Sequence, residues 1–232
     1  MIGFSNLGNT SHISTVLQCV LQNPRINHQN HPHCISSPIT YYLAEMQRAS
    51  ARSDTYSGNK YFSMLVNTLP PTTNTTICNY YTRLVDNLIQ QDPDKYTPLF
   101  TGQIESWIQC DACNHKEHSI DEFTIIDLVA TFALHKSCPK CLHATAHARA
   151  TITRMPYTLA TVNSNIRQSM ILQNATYDLF GIACKHRVNH NYAVVKNQEE
   201  DEWYVFSNEH ISSLKRSTHV GKPCVMFYNI RN

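Results

Sequence analysis

The chain has 232 residues, enough for one large domain or two small ones with a sizeable buried core. Its formal net charge of +2 gives neither nucleic acid nor a membrane surface an electrostatic hold, and its 6 glycines disfavour a glycine-loop nucleotide binder. No apolar run approaches the ~20 residues of a membrane-spanning helix. No basic-then-apolar leader precedes the first motif, so an intracellular protein is expected.

Helices are expected first along the chain. Ile13, Val16, Leu17, Val20 and Leu21 recur at the spacing of one apolar stripe, with Thr10 or Ser11 able to cap the helix and Asn23-Pro24 to end it. Ser37-Pro38 can open a second helix through Tyr41, Leu43 and Met46, and Tyr61 to Val66 suggests a third. The run from Leu69 through Pro70 and Pro71 reads as a loop. Ile77 to Gln90 reads as a fourth helix with Ile77, Tyr80, Tyr81, Leu84, Val85 and Leu88 on one face.

From Gln103 onward the texture turns to strands: Ile104–Gln109, Ile120–Leu128, Ala148–Val162, Tyr177–Cys184, Tyr192–Val195, Trp203–Phe206 and Val225–Ile230. Helices followed by an antiparallel series of strands predict an α+β fold, with residues 1–95 mainly helical and 96–232 mainly β within one domain.

The chain has nine cysteines. Four of them form two Cys-x-x-Cys pairs, Cys110/Cys113 and Cys138/Cys141, the spacing of a closed tetrahedral zinc site. Four thiolates leave no open coordination position, so this zinc is expected to be structural. Cys19, Cys34, Cys78, Cys184 and Cys224 are scattered, and most are expected to serve as small core hydrophobes.

The first helix has a second feature. A loop carrying Gly3 and Gly8 delivers Ser11 to the helix N-terminus, where backbone N–H groups and the dipole favour negative charge. That is a suitable seat for a nucleophile, although most capped helices simply pack into a core.

The segment Gly3-Phe4-Ser5-Asn6-Leu7-Gly8-Asn9-Thr10-Ser11, with Leu17-Gln18 in the helix behind it, resembles the nucleophile box of the ubiquitin-specific proteases. These are papain-like cysteine peptidases with the pattern Gly-Leu-x-Asn-Leu-Gly-Asn-Thr-Cys, and Ser11 stands where they carry the cysteine. The resemblance implies a helical thumb, an antiparallel β palm and zinc-bearing fingers that grip ubiquitin. His190, in Asn189-His190-Asn191-Tyr192 ahead of a strand, matches the general base, although the family has Gly where Asn189 stands. Ser207 or Asn208, after Trp203-Tyr204-Val205-Phe206, matches the residue that orients it, and neither carries charge. Asn6 matches the oxyanion-hole side chain. Asn74 to Tyr80 occupies the family's Gln-Gln-Asp-Ala-x-Glu-Phe box without its glutamine, aspartate or glutamate.

Within the family the likeness is narrower, to the deubiquitinating subunit of the SAGA co-activator, which implies ubiquitin or a ubiquitinated protein and co-activator adaptors as partners, and the nucleus as location. A second zinc at His28, His31, His33 and Cys34 is not expected, because no cysteine pair follows. Two readings of function follow. One is a pseudo-deubiquitinase kept for binding or scaffolding, which accounts for all the departures together. The other is a working thiol protease in which Ser replaces the nucleophilic Cys. A zinc-ribbon nucleic-acid module would account for the four cysteines alone and lacks a basic cluster.

Overall fold

The computed structural model of the chain describes residues 1–23, 25–26, 37–72, 76–133, 135–143, 146–187, 190–214 and 221–231. Helices α1 (Ser11–Leu21), α2 (Pro38–Ala51), α3 (Thr55–Thr68), α4 (Ile77–Gln91) and α5 (Pro93–Phe100) form the thumb. Pro38 sits in the first turn of α2, where its missing N–H costs nothing. Asp54 caps α3 by accepting the Ser57 N–H, and Thr76 caps α4 by accepting the Asn79 N–H at 3.2 Å. Helix α5 has no counterpart among the expected elements: Pro93 and Pro98 obscure it, but Asp92 accepts the Lys95 N–H and Pro93 takes the first helical position.

The strands divide into two sheets. β1 (Gly102–Gln109), β2 (Lys116–Phe123), β4 (His135–Lys136) and β5 (Ala146–Arg154) make the antiparallel fingers, in the order β2-β1-β5-β4. The palm comprises β3 (Ile126–Asp127), β6 (Thr158–Val162), β8 (Ala175–Arg187), β9 (His190–Asn197), β10 (Glu202–Ser207), β11 (His210–Ser213) and β12 (Lys222–Ile230). Their order is β11-β10-β9-β8-β12-β6-β3, and β7 (Ser169–Leu172) pairs with β8. The palm is antiparallel except where the two-residue β3 runs parallel to β6.

Two runs expected as single strands are split between the sheets. Met155, Pro156 and Tyr157 separate β5 from β6, because Pro156 has no N–H for a continuous ladder. Thr124 and Ile125 separate β2 from β3, and Leu128 already belongs to the short helix α6 (Leu128–Thr131), capped by Asp127.

Helix α1 is the axis of the core. It reads as amphipathic, yet every residue from Ser11 to Leu21 is buried. Its apolar stripe shares one core with Phe62, Tyr81, Leu84 and Leu88 of the thumb and with Phe180, Ala183, Val195 and Phe227 of the palm. Most of its buried polar side chains are hydrogen-bonded. Ser14 and Thr15 hydroxyls donate to the Ser11 carbonyl, and Gln18 donates to the Ile2 carbonyl at 2.9 Å. Beyond its C-terminus, Asn23 donates to Thr158, Thr158 to Asn229 and Asn229 back to Asn23, a closed ring that fixes the helix end to β6 and β12. Both ends of α1 are therefore fixed.

Candidate active site and metal centre

The loop before α1 is held by Asn6. Its Oδ1 accepts the Gly8 N–H at 3.1 Å and the Thr10 N–H at 3.5 Å, as well as the Thr10 hydroxyl. Gly8 (φ +87°) and Asn9 (φ +48°) both lie in the left-handed region, which glycine and asparagine tolerate best. With Oδ1 occupied by donors from the loop, the Asn6 amide NH2 is the end that can serve an outside acceptor. Thr10 stands at the N-cap, as expected, but its hydroxyl does not cap the helix; it accepts the Leu7 N–H instead.

Ser11 is the first helical residue and is 2 % exposed. Asn191, the second residue of β9, donates its amide Nδ2–H to Ser11 Oγ at 3.0 Å. His190, the first residue of β9, has its Nε2 3.3 Å from Ser207 Oγ at the end of β10. The helix N-terminus thus meets the start of β9, and β9 meets β10. Of the two candidates for the residue beside the imidazole, Ser207 makes this contact, and Asn208 Oδ1 is buried with no hydrogen-bond partner. Asn208 begins the turn into β11 at φ +52°, and its carbonyl accepts the Phe4 N–H, which joins this turn to the N-terminal segment. Asn191 is not among the residues that the sequence singles out. The signal available is a carboxamide in a strand, where asparagine is disfavoured, directly after the proposed base.

Beside Ser11, His12 is buried with its Nε2 unpartnered, and burial lowers its pKa. Its ring meets Tyr80 edge-on at 6.0 Å, and the Tyr80 hydroxyl is likewise buried without a partner. Asn74, Asn189 and the segment with His28, His31, His33 and Cys34 lie outside the described residues.

At the far end of the fingers, Cys110, Cys113, Cys138 and Cys141 bring their sulfurs within 4.8 Å of one another. Cys110 and Cys141 are 3.6 Å apart and Cys113 and Cys138 3.7 Å, far from the ~2.05 Å of a disulfide. A tetrahedron with Zn–S bonds of about 2.3 Å has S–S edges of about 3.8 Å, so the four sulfurs fit a zinc ion. Each pair sits on a knuckle, with the Cys110 N–H donating to the His115 carbonyl and the Cys138 N–H to the His143 carbonyl. Burial opposes ionisation of Cys138, but the N–H groups of Cys141 and Lys140 and the neighbouring thiols outweigh it and lower its pKa, while the hydrogen bonds from Cys113, Cys110 and Cys138 raise that of Cys141. Thiols this close favour ionising one of their number, and a divalent cation among them would favour the thiolate form of all four. The centre is structural, since four sulfurs fill the coordination sphere. Of the remaining cysteines, Cys19 and Cys184 are fully buried, as expected for core residues, and Cys78 and Cys224 are half-buried.

Residues 2–228 match the model of the ubiquitin carboxyl-terminal hydrolase family. The chain belongs to this family. No curated protein sequence gives a match. Among solved structures, the Ubp8–Sgf11–Sgf73–Sus1 SAGA DUB module aligns with a TM-score of 0.77 at 19% identity, over 100% of this chain and 68% of that one. The SAGA module of Ubp8 bound to monoubiquitin gives 0.73 at 19% identity, covering 100% and 69%. The module bound to ubiquitin aldehyde gives 0.72 at 19% identity, covering 100% and 70%. At such identities the likeness is one of fold. The hydrolase-family assignment accounts for thumb, palm and zinc-bearing fingers together, and among the described residues no helix is long and apolar enough to cross a membrane.

Proposed function

We propose that this chain recognises ubiquitin with a protease-like fold whose chemistry is impaired, and that it serves as a binding or scaffold subunit of a SAGA-like deubiquitinating module in the nucleus. The observation that carries this reading is the pairing at the nucleophile seat: Ser11 stands there, and the side chain at 3.3 Å from His190 Nε2 is the uncharged Ser207. In the triad logic, Ser11 would be the nucleophile, His190 the base, Ser207 the orienting group and Asn6 the oxyanion donor, with Asn208 beside Ser207. A serine hydroxyl ionises far less readily than a thiol, so it depends on a base whose cationic form is stabilised. A hydroxyl partner fixes the ring without supplying the negative charge that stabilises imidazolium. The zinc-bearing fingers and the family fold support retained ubiquitin binding, and the solved neighbours include complexes with monoubiquitin and ubiquitin aldehyde.

A second reading has its own support. The loop before α1 is held by hydrogen bonds to Asn6 Oδ1 and His190 lies within reach of Ser207, which favours a thiol hydrolase in which serine replaces the nucleophile. Ser11→Cys tests the two readings, with fluorophore release from the ubiquitin C-terminus and monoubiquitin binding measured on the same zinc-loaded protein, with and without adaptor proteins. Saturable binding with no turnover is the expected result. Robust turnover would overturn the impaired-enzyme reading, and absence of binding would overturn ubiquitin recognition.

A further inference from the structure

The contact between Asn191 and Ser11 has a consequence for the chemistry of position 11. We infer that Asn191 is a positioning residue that presents a fixed hydrogen-bond donor to the atom on Cβ of residue 11. As a result, the seat stabilises an anion there whether or not His190 takes part. The inference rests on the reading of Ser11 as the nucleophile position.

Three observations carry it. The Asn191 Nδ2–H to Ser11 Oγ distance is 3.0 Å, within the range of a full hydrogen bond. Ser11 is 2 % exposed, so water does not readily replace this donor. The two residues stand on rigid elements, the first turn of α1 and the start of β9, so the donor stays in place when the charge at position 11 changes. A carboxamide N–H can only donate, which makes the contact directional. With serine at position 11, Asn191 occupies one of the two lone pairs of Oγ, and the hydroxyl proton must point elsewhere. With a thiol in that place, the donor bonds better to thiolate than to thiol, and the thiol pKa falls.

The test uses Ser11→Cys in the full, zinc-loaded chain and follows alkylation by iodoacetamide, in which the thiolate introduced at position 11 displaces iodide. Mass spectrometry reads the peptide that carries this position across a range of pH. No ubiquitin is involved, so a failure here is distinguishable from a failure of ubiquitin recognition. The expected midpoint for the introduced thiol lies below the ~8.5 of a free thiol. Adding Asn191→Ala should raise it by about one pH unit and slow alkylation at pH 7 severalfold. Asn191→Asp, which offers an acceptor in the same shape, should raise it further. Asn191→Ser, which keeps a donor, should recover part of the shift. Zinc content and melting temperature report folding in each variant, and a structural role alone would not sort Ala, Asp and Ser in that order. Equal midpoints for Asn, Ala and Asp in folded protein would overturn the inference.

Discussion

Gly3 lies directly against the Asn208–Glu209 turn: a Cβ built on it would fall 2.6 Å from the Asn208 carbonyl oxygen and 2.6 Å from the Glu209 backbone. The Phe4 N–H donates to the same Asn208 carbonyl at 3.0 Å, so the N-terminal segment and the β10–β11 turn are packed as one piece. This turn follows Ser207, the residue beside His190. The start of the chain therefore sets the position of a residue at the candidate site about two hundred positions later.

Gly3→Ala tests that dependence. The atoms in the way are backbone, which cannot rotate aside, so the turn or the strand must shift. A loss of about 1–3 kcal/mol is expected, as for an overpacked core. The His190 ring resonances in an NMR spectrum should move as well. A variant with native melting temperature and unchanged His190 shifts would show that the two segments are independent.

Ser207→Asp places a carboxylate where the hydroxyl now meets His190 Nε2. Negative charge there favours imidazolium over imidazole, so the His190 pKa should rise by about one unit or more. In a Ser11→Cys background, where no turnover is expected, the same change should make ubiquitin-fluorophore turnover measurable, because the base is both oriented and stabilised when cationic. NMR titration of His190 checks the first part and steady-state kinetics the second. A His190 pKa that does not rise would mean that the carboxylate does not face the ring.

Much of this arrangement is legible in the sequence, and what is not has physical causes. The helix period of Ile13 to Leu21 and the two Cys-x-x-Cys pairs are local signals, and both elements form where they point. Helix α5 is hidden because two prolines mask its eight residues, and the division between fingers and palm is hidden because an apolar run does not reveal which sheet it joins. The Asn191–Ser11 contact spans 180 residues and depends on how α1 docks against β9, which no local pattern encodes. Thr10 is the N-cap residue that its position suggests. Its hydroxyl nevertheless turns to the loop, where the competing Leu7 N–H and Asn6 Oδ1 are available.

The metal centre carries its own prediction. Elemental analysis should find one zinc per chain, and Cys113→Ser should abolish it. The cluster around Cys110, Cys138 and Ala146 is small and separate from the two larger cores, so zinc loss should unravel the tip of the fingers and leave thumb and palm folded. Proteolysis should then cut between residues 109 and 146 while the remainder persists. Cooperative loss of all structure on zinc removal would contradict that separation.

Leu142 follows the last zinc-site cysteine with φ +58° and is 78 % exposed. A left-handed backbone costs an L-residue about 1–2 kcal/mol relative to its preferred regions, and the exposed side chain recovers little by packing. Leu142→Gly should therefore stabilise the zinc-loaded protein by up to about 1 kcal/mol, with some of the gain offset by the freer unfolded chain. Asn114 holds the matching position after Cys113 at φ +52°, where asparagine is better tolerated, and Asn114→Gly should change stability less. Melting temperatures of the two variants side by side decide the matter.

His12 gives the chain a dependence on pH. Burial disfavours its charged form and lowers the pKa below the ordinary 6.5, and Nε2 has no hydrogen-bond partner to compensate. The unfolded chain therefore binds a proton at this residue at a pH where the folded chain does not. Stability is then full above about 6.5 and falls as the pH drops from there through the folded-state pKa. Loss of zinc would also weaken the protein in acid, so the prediction concerns a difference between variants. His12→Phe keeps an aromatic ring against Tyr80, removes the titrating group and removes one unpartnered buried nitrogen. The drop in melting temperature between pH 7.5 and pH 5.5 should be smaller in His12→Phe than in the parent chain, at equal zinc content. An equal drop in both would mean that His12 is protonated as readily in the folded state as in the unfolded one.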